Sequence, residues 1–195
     1  MRQLRAVEVK RLNRGWRQAT EARLGLVLDG VSSPFNVGSI LRTAAALGVD
    51  QVWLAGSSAT PHHPALRKVS MGTERLVAWE AGMPVAEAVA AARADGLRPV
   101  AVELCDGAVP LHQAPLAGDL CLVVGNEDKG LSPAALAACE AAVYLPQPGR
   151  VGSLNVAVAT GIALAECRLR EWAGRPAPAP DDQGGDSPND SASSS

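Results

Sequence analysis

Aromatic residues are scarce in this chain of 195 residues, where Phe, Trp and Tyr together make up 3%. Few rings mean few platforms on which nucleobases can stack, so stacking is not expected to dominate any binding of nucleic acid. Charged residues are also sparse at 19%, whereas 47% of the residues are hydrophobic. That balance can bury a core of ordinary size, and we expect one main globular domain.

Long apolar segments are lacking as well. No uninterrupted hydrophobic run reaches the roughly 18 residues that span a bilayer. The N-terminal sequence MRQLRAVEVKRLNR has no apolar stretch after its charges, so it does not read as a secretory signal. We therefore expect a cytoplasmic protein without a membrane-spanning segment.

Candidate metal ligands are few and poorly spaced. His62 and His63 are adjacent and precede Pro64, so they cannot project from one helix face as zinc-binding pairs do. The four cysteines are far apart and form no CxxC pair. We expect no metal site, and reduced thiols in or near the core, at Cys105, Cys121, Cys139 and Cys167.

The formal net charge of −2 hides an uneven distribution. Residues 176–195 contain four Asp, no basic residue and no large apolar side chain, a composition that predicts a disordered acidic tail rich in Pro and Ser. Residues 1–175 contain all 18 Lys and Arg but only 16 of the 20 Asp and Glu, so they carry a net charge of +2.

The basic excess is concentrated in residues 1–23, which carry seven Lys or Arg against two Glu, a net of +5. A basic arm or helix of this kind attracts a phosphate backbone. The alternative is an amphipathic helix with a solvated charged face, in which Leu4, Val7, Arg11 and Leu12 share one side.

Short apolar runs alternate with helical patterns along the rest of the chain. This alternation predicts a parallel α/β sheet. The strands are expected at residues 24–28, 51–55, 76–79, 98–104, 119–124 and 142–145, and the helices at 36–47, 84–94, 133–139 and 153–172, with a turn-rich segment at 56–75 that has room for one helical turn.

A Rossmann dinucleotide-binding domain is the first alternative for such a pattern. The chain lacks a GxGxxG motif after its first strand, a P-loop, and an acidic residue at the end of a suitable second strand, all of which that fold uses to hold a nucleotide. Two loops dense in Gly and Pro instead follow short strands at residues 125–130 and 146–152. Because ligands collect at the carboxyl ends of parallel strands, we expect the binding site there.

Three motifs stand out in order along the chain. NVGSILRTAAALG occupies residues 36–48, VGNEDKGL residues 124–131, and RVGSLNVAVATGIALAE residues 150–166. In the third motif a Gly-rich turn leads through small polar residues into an apolar helix, which points backbone N–H groups at one place. Together the motifs resemble the signatures of the SpoU/TrmH family of RNA ribose 2′-O-methyltransferases, over about residues 24–172.

The resemblance implies a deep trefoil knot in the C-terminal half of the domain, residues 24–175, and S-adenosylmethionine as the methyl donor. In the family the cofactor binds mainly to backbone groups of three loops. Close approach of the cofactor to the main chain would account for Gly125, Gly149 and Gly152. The corresponding cofactor-binding positions in this chain are Val102, Leu104, Gly125, Leu145 and Leu154.

The resemblance also makes Arg42 the principal catalytic residue. A guanidinium is effectively never deprotonated, so we expect Arg42 to hold the 3′-phosphate and stabilise the developing alkoxide, while phosphate or water takes the proton. We place Asn36 at the start of a helix and Arg42 about one and two-thirds turns later, on the opposite side. The alternative is that Arg42 is an ordinary exposed helix residue.

Three further residues complete the expected catalytic set. Glu127 is expected to fix Arg42 or Asn155 by a charge-assisted hydrogen bond, or else to cap the helix that follows it. Ser153 is expected to cap the last helix, while Asn155 reaches the ribose or a partner chain.

Contacts to RNA phosphates are expected from Arg11 and Arg14 in the basic arm and from Arg67 and Lys68 in the turn-rich segment. The alternative for Arg67 and Lys68 is a charged turn that contacts only solvent.

The family pairs subunits through the knot and the final helix, which implies a homodimer. The final helix is apolar on more sides than one buried face requires, at Leu154, Val156, Val158, Ile162 and Leu164.

The short basic arm before Leu24 favours a tRNA (guanosine 2′-O) substrate, with 23S rRNA as the alternative, because rRNA enzymes of the family commonly carry a separate N-terminal domain. Two other classes stay open: a knotted RNA-binding protein without catalysis, and a Rossmann-type oxidoreductase. The first is disfavoured because every expected catalytic residue is present, and the second because its fingerprint is missing.

Overall fold

The computed structural model describes residues 1–178, which fall into two compact units. The larger unit is Ala22–Ala173, and the smaller one combines Met1–Glu21 with the residues from Gly174 onward. The predicted acidic tail lies outside the described residues, apart from its first three positions.

The smaller unit contains helix α1 (Ala6–Ala19). Glu8 in its first turn is buried and accepts hydrogen bonds from the guanidinium of Arg2 at 2.6 and 2.9 Å and from the backbone N–H of Arg5 at 2.6 Å. These hydrogen bonds hold the pKa of Glu8 well below its ordinary value, and the hydrogen bond from Arg2 has the largest effect. Arg11 and Arg14 are exposed on the same helix.

The larger unit is built on one sheet of seven strands, all parallel, in the order β3-β2-β1-β6-β4-β7-β5. The predicted parallel α/β sheet is therefore confirmed. The strands are β1 (Leu24–Asp29), β2 (Gln51–Ala55), β3 (Ala78–Ala81), β4 (Arg98–Val102), β5 (Val109–Pro110), β6 (Leu120–Gly125) and β7 (Ala141–Tyr144).

Four helices lie between these strands in the chain and a fifth follows the last strand, with two short 3₁₀ turns at Thr73–Arg75 and Leu111–Gln113. The segment predicted as turn-rich contains a helix, because His63 caps it and Pro64 occupies its first turn. The helices are α2 (Pro34–Ala46), α3 (Pro64–Ser70), α4 (Val85–Ala94), α5 (Pro133–Ala138) and α6 (Val156–Trp172).

Both faces of the sheet are covered, as burial of parallel strands requires. Alternating residues of β1 show this: Leu26 and Leu28 belong to a core with residues of α2 and α6, whereas Val27 belongs to a second core with residues of α4 and α5. Cys121 and Cys167 are buried and Cys105 and Cys139 partly so, all as free thiols, which confirms the predicted core cysteines.

The parallel arrangement brings the carboxyl ends of β1, β6, β4 and β7 to one edge of the sheet. The loops after these strands therefore meet at that edge, and the second and third motifs lie in two of them. Among residues 1–178, no helix is long and apolar enough to cross a membrane.

Candidate active site

Glu127 lies in the loop after β6 and contacts the start of α2. Its carboxylate accepts a hydrogen bond from Nδ2 of Asn36 at 2.9 Å, and others from the backbone N–H groups of Ser33 at 3.0 Å and Ser32 at 3.2 Å. The carboxylate thus sits against the N-terminus of α2, where unpaired N–H groups and the helix dipole favour a negative charge.

The environment of Glu127 stabilises its ionised form. Partial burial raises the pKa, but the hydrogen bonds from Asn36 and from backbone N–H groups outweigh this effect, and the pKa lies below its ordinary value. Glu127 is therefore a carboxylate at neutral pH, suited to accept hydrogen bonds rather than to donate a proton.

Asn155 links the start of α6 to the same group. Its Oδ1 accepts from the backbone N–H of Ala157 at 2.9 Å and of Val158 at 3.3 Å, which makes Asn155 the N-cap of α6. Its Nδ2 donates to Oδ1 of Asn36 at 2.9 Å. Asn36 consequently bridges Asn155 and Glu127, and both ends of its amide are fixed.

These contacts correct two predictions about hydrogen bonding. Glu127 was expected to hold Arg42 or Asn155, or to cap the helix after it, yet it holds Asn36 and the first turn of α2. Ser153 was expected to cap the last helix, but it is exposed in the preceding loop, and Asn155 caps in its place.

The start of α2 differs from the prediction for a similar reason. Ser33 is the N-cap, with its side chain accepting from the backbone N–H of Asn36, and Pro34 occupies the first turn. Asn36 is therefore a first-turn residue whose side chain is free to reach Glu127.

Arg42 is not part of this hydrogen-bonded group and contacts the end of α3 instead. Its neighbours Ile40 and Leu41 are buried, but Arg42 itself is exposed. Its Nη1 lies 2.9 Å from Sδ of Met71, at the end of α3. Within residues 1–178 no carboxylate lies within ion-pair distance of Arg42, so its charge is available to an anion.

The cofactor-binding positions meet at the carboxyl edge of the sheet. Val102 ends β4, Gly125 ends β6 and Leu145 follows β7, and β4 pairs with both other strands. Leu104 is 74% exposed and Leu154 is 37% exposed, both in loops. The structure thus brings three of the five expected positions, Val102, Gly125 and Leu145, to one edge of the sheet.

The backbone of the loop between β7 and α6 is open to a ligand. In the described part of the chain, residues 146–154 make no hydrogen bond to other protein groups. A Cβ added at Gly149 or Gly152 would meet nothing within 4 Å. Free N–H and C=O groups beside small residues fit a cofactor that is recognised by main-chain atoms, so the residues present are compatible with S-adenosylmethionine.

Gly125 has an additional reason to be glycine. A Cβ there would lie 2.2 Å from the carbonyl carbon of Gly130, because the loop folds back through two hydrogen bonds between Asn126 and Gly130, at 3.0 and 2.9 Å. The close approach at Gly125 is therefore made by the chain itself.

Sequence reasoning missed two residues that hold together the elements carrying the site. Glu103, directly after β4, accepts from the backbone N–H groups of Leu131 at 3.0 Å and Leu104 at 3.0 Å, which joins two of the cofactor loops. No motif distinguishes this residue, although an acid that directly follows a buried strand was a usable signal.

The other missed residue is Arg168, which is 1% exposed on α6. It donates to the carbonyl oxygens of Leu47 at 2.8 Å, Gly48 at 2.6 Å and Ala22 at 2.7 Å, and to Glu171 at 2.8 Å. Arg168 thus ties the far end of α6 to the turn that ends α2, while Asn155 ties the near end to Asn36.

The expected RNA-binding cations lie in separate places. Arg67 and Lys68 are exposed on α3, not on a loop as expected, and Nε of Arg67 donates to the carbonyl of Pro61 at 2.8 Å. Arg11 and Arg14 are on α1 of the smaller unit.

An open groove of about 580 Å³ runs between α2 and α6. Its lining includes Asn36, Asn155 and the exposed apolar side chains of Phe35, Val158 and Ile162. The described residues contain no group of three or more His, Cys, Asp or Glu side chains that could hold a metal ion.

Comparison with known proteins agrees with this geometry. Residues 23–165 match the SpoU rRNA Methylase family. The chain is 36% identical over 150 residues to the 23S rRNA (guanosine-2′-O-)-methyltransferase RlmB of Pseudomonas syringae pv. tomato, covering 77% of this chain and 60% of that protein. The chain thus spans less than two thirds of the length of that relative.

Two solved structures have the same fold. The AdoMet-bound rRNA methyltransferase from Sinorhizobium meliloti superposes with a TM-score of 0.72 at 31% identity, covering 80% of this chain and 60% of that one. The A. aeolicus TrmH/SpoU tRNA modifying enzyme gives a TM-score of 0.69 at 29% identity, with coverages of 86% and 85%. With the three motifs in place along a seven-stranded parallel sheet, the chain belongs to the SpoU rRNA Methylase family.

Proposed function

We propose that the protein transfers a methyl group from S-adenosylmethionine to a ribose 2′-hydroxyl of RNA. The observation that carries the proposal is the bridge from Asn155 through Asn36 to Glu127, which joins all three motifs at the edge of the sheet where the cofactor loops meet. Membership of an RNA methylase family supports it.

The cofactor would be held by backbone groups at the carboxyl edge of the sheet. S-adenosylmethionine supplies an activated methyl group when bound, so the protein has to position the 2′-hydroxyl and stabilise the charge that develops on its oxygen. The positions proposed to contact the cofactor are Val102, Leu104, Gly125, Leu145 and Leu154.

Asn36 and Asn155 are proposed to orient the ribose. Their amides are held by one another and by Glu127 at 2.9 Å, so a hydroxyl beside them meets donors and acceptors that do not need to rearrange. Ser153, exposed two residues before Asn155, is proposed to contact the same nucleotide.

Arg42 is proposed to stabilise the alkoxide and to hold the adjacent phosphate. Its guanidinium is exposed and unpaired by any described carboxylate, and a guanidinium does not serve as a general base in proteins. Phosphate or water, rather than Arg42, takes the proton from the hydroxyl.

The protein is proposed to act as a homodimer through the groove between α2 and α6. Val158 and Ile162 are 52% and 42% exposed there, and Phe35 is 61% exposed. Of the residues first expected to form this surface, Leu164 is buried in the protein's own core and Leu154 precedes the helix. A second copy over this groove would bring its own loops close to Asn36 and Asn155. The deep trefoil knot in each subunit stays a prediction from the family resemblance.

We propose 23S rRNA as the substrate, which reverses the preference for tRNA drawn from the sequence. The RlmB relative supports this choice. A tRNA substrate is the second candidate, favoured by the compact A. aeolicus tRNA modifying enzyme, of which this chain covers 85%. A cytoplasmic location is part of the proposal, and either RNA substrate supports it.

The test is transfer of radiolabelled methyl groups from S-adenosylmethionine to separately purified, undermethylated 23S rRNA and tRNA, followed by nucleoside mass spectrometry. We expect a 2′-O-methylated nucleoside in the rRNA arm. The same product in tRNA alone would select the second candidate, and no product in either RNA, with cofactor binding intact, would leave the non-catalytic RNA-binding alternative.

A further inference from the structure

The exposed side of α3 forms a continuous strip with Arg42. Arg67, Lys68 and Met71 share this side, whereas Leu66 and Ser70 on the opposite side are buried. Arg67 lies one helical turn before Met71, and Met71 contacts Arg42 at 2.9 Å. The strip therefore begins at the residue proposed to stabilise the transition state.

An aromatic pair lies at the other end of the strip. The ring of His62 meets that of Trp79 edge to face, with centroids 5.7 Å apart. His62 is exposed while Trp79 is half buried against the core, so Trp79 supports the His62 ring from the protein side. The hydrogen bond from Arg67 to Pro61, at 2.8 Å, places a fixed guanidinium beside the residue preceding His62.

The charge of this surface differs from that of the unit around it. The unit Ala22–Ala173 carries eleven Lys and Arg against fourteen Asp and Glu, a net of −3. The segment from His62 to Trp79 contains three basic residues and one acidic residue, Glu74. Glu74 is buried and accepts a hydrogen bond from Ser70 at 2.5 Å, and Glu80 alternates with Trp79 along β3 and so projects to the other face.

We propose that the α3 strip, defined as Arg42, His62, Arg67, Lys68, Met71 and Trp79, binds the single-stranded RNA next to the nucleotide that is methylated. Arg67 and Lys68 bind consecutive phosphates, and one base stacks on the ring of His62. The inference rests on the proposed function, because the RNA must enter at Arg42. It adds one stacking site to a chain with few aromatic rings.

Binding of a fluorescein-labelled single-stranded RNA of about 12 nucleotides, a length within the usual range for such sites, is measured by fluorescence anisotropy with the full chain at several KCl concentrations. His62→Ala should weaken binding about ten-fold at every salt concentration, because a stacked base contributes without releasing counterions. His62→Phe keeps a ring there and should bind like the wild type. His112→Ala, at another exposed histidine, should have no effect.

The double variant Arg67→Ala with Lys68→Ala should instead reduce the slope of log affinity against log salt by about 0.7 for each lost phosphate contact. Cross-linking with 4-thiouridine in the same RNA should label the peptide that contains His62. If His62→Ala bound the RNA as tightly as the wild type, and the cross-link labelled a different peptide, the proposal that the α3 strip binds RNA would be wrong.

The two proposals can fail independently. Methyl transfer by the wild type tests the proposed function, whereas the ratio of variant to wild-type RNA affinity tests the strip. Loss of affinity in His62→Ala with an unchanged melting temperature supports the strip. An equal loss in His62→Phe would show that the ring is not what the RNA contacts, and would also overturn it.

Discussion

Asn36 and Asn155 share a hydrogen bond of 2.9 Å although 119 residues separate them. The contact joins the first turn of α2 to the N-cap of α6, and Glu127 fixes the other end of the Asn36 amide. Both asparagines therefore present fixed polar atoms at one point, and this rigidity is what a site that aligns a hydroxyl requires.

Asn36→Ala should lower methyl transfer by about two orders of magnitude, the usual scale for losing one preorganised contact. It removes the bridge and leaves Glu127 with the backbone N–H groups of Ser32 and Ser33 and with longer hydrogen bonds from the Ser32 hydroxyl and Nδ2 of Asn126. Single-turnover assays measure the effect, with Ser39→Ala, a neighbour in the same groove, as the control. An equal loss in both variants would mean that the groove, not the bridge, is responsible.

Arg42→Ala should leave the fold and cofactor affinity near wild type while lowering methyl transfer by about two orders of magnitude or more. Its guanidinium is exposed, so its loss creates no buried cavity. Calorimetric titration with S-adenosylmethionine and single-turnover assays separate the two quantities. Arg75→Ala, which removes an exposed cation nearby, is the matched control, and retained transfer in Arg42→Ala would contradict the assigned role.

Acid should destabilise the wild type more than Glu127→Gln. The pKa of Glu127 in the folded protein lies below its ordinary value of 4.5, so the unfolded chain binds the proton first. The resulting stability is present above about pH 4.5 and is lost as the pH falls through the folded pKa. Urea unfolding between neutral and acidic pH should show a smaller loss for the variant, and parallel curves would contradict the lowered pKa.

Arg168→Met should lower the free energy of unfolding by about 3 kcal/mol or more, since it removes the buried guanidinium that donates hydrogen bonds to three partly buried carbonyl groups and to Glu171. Arg168→Lys should recover part of the loss by reaching fewer carbonyls. Arg93→Met breaks an ion pair whose partners are 46% and 47% exposed and should cost less than about 1 kcal/mol. Chemical denaturation of the three variants measures the differences.

The sequence predicted the sheet well because buried parallel strands read as short apolar runs. Residues 51–55, for example, were predicted as a strand and form β2. The sequence Ser-Leu-Asn before α6 offered two capping side chains, and only the backbone conformation decides that Asn155 caps. The partners of Glu127 and Arg168 lie on segments about 90 to 150 residues away, and periodicity carries no information about contacts at that distance.

Arg11 and Arg14 allow a test of the basic N-terminal segment without deleting any chain. Both are exposed on α1. Arg11→Ala with Arg14→Ala should weaken binding of duplex-containing RNA, and should reduce the slope of log affinity against log salt by close to one unit for each lost phosphate contact. Removing residues 179–195, with their four aspartates, should leave binding unchanged or strengthen it, because these residues bring only negative charge. Fluorescence anisotropy across a salt series measures both, and an unchanged slope in the arginine variant would show that the segment does not contact phosphates.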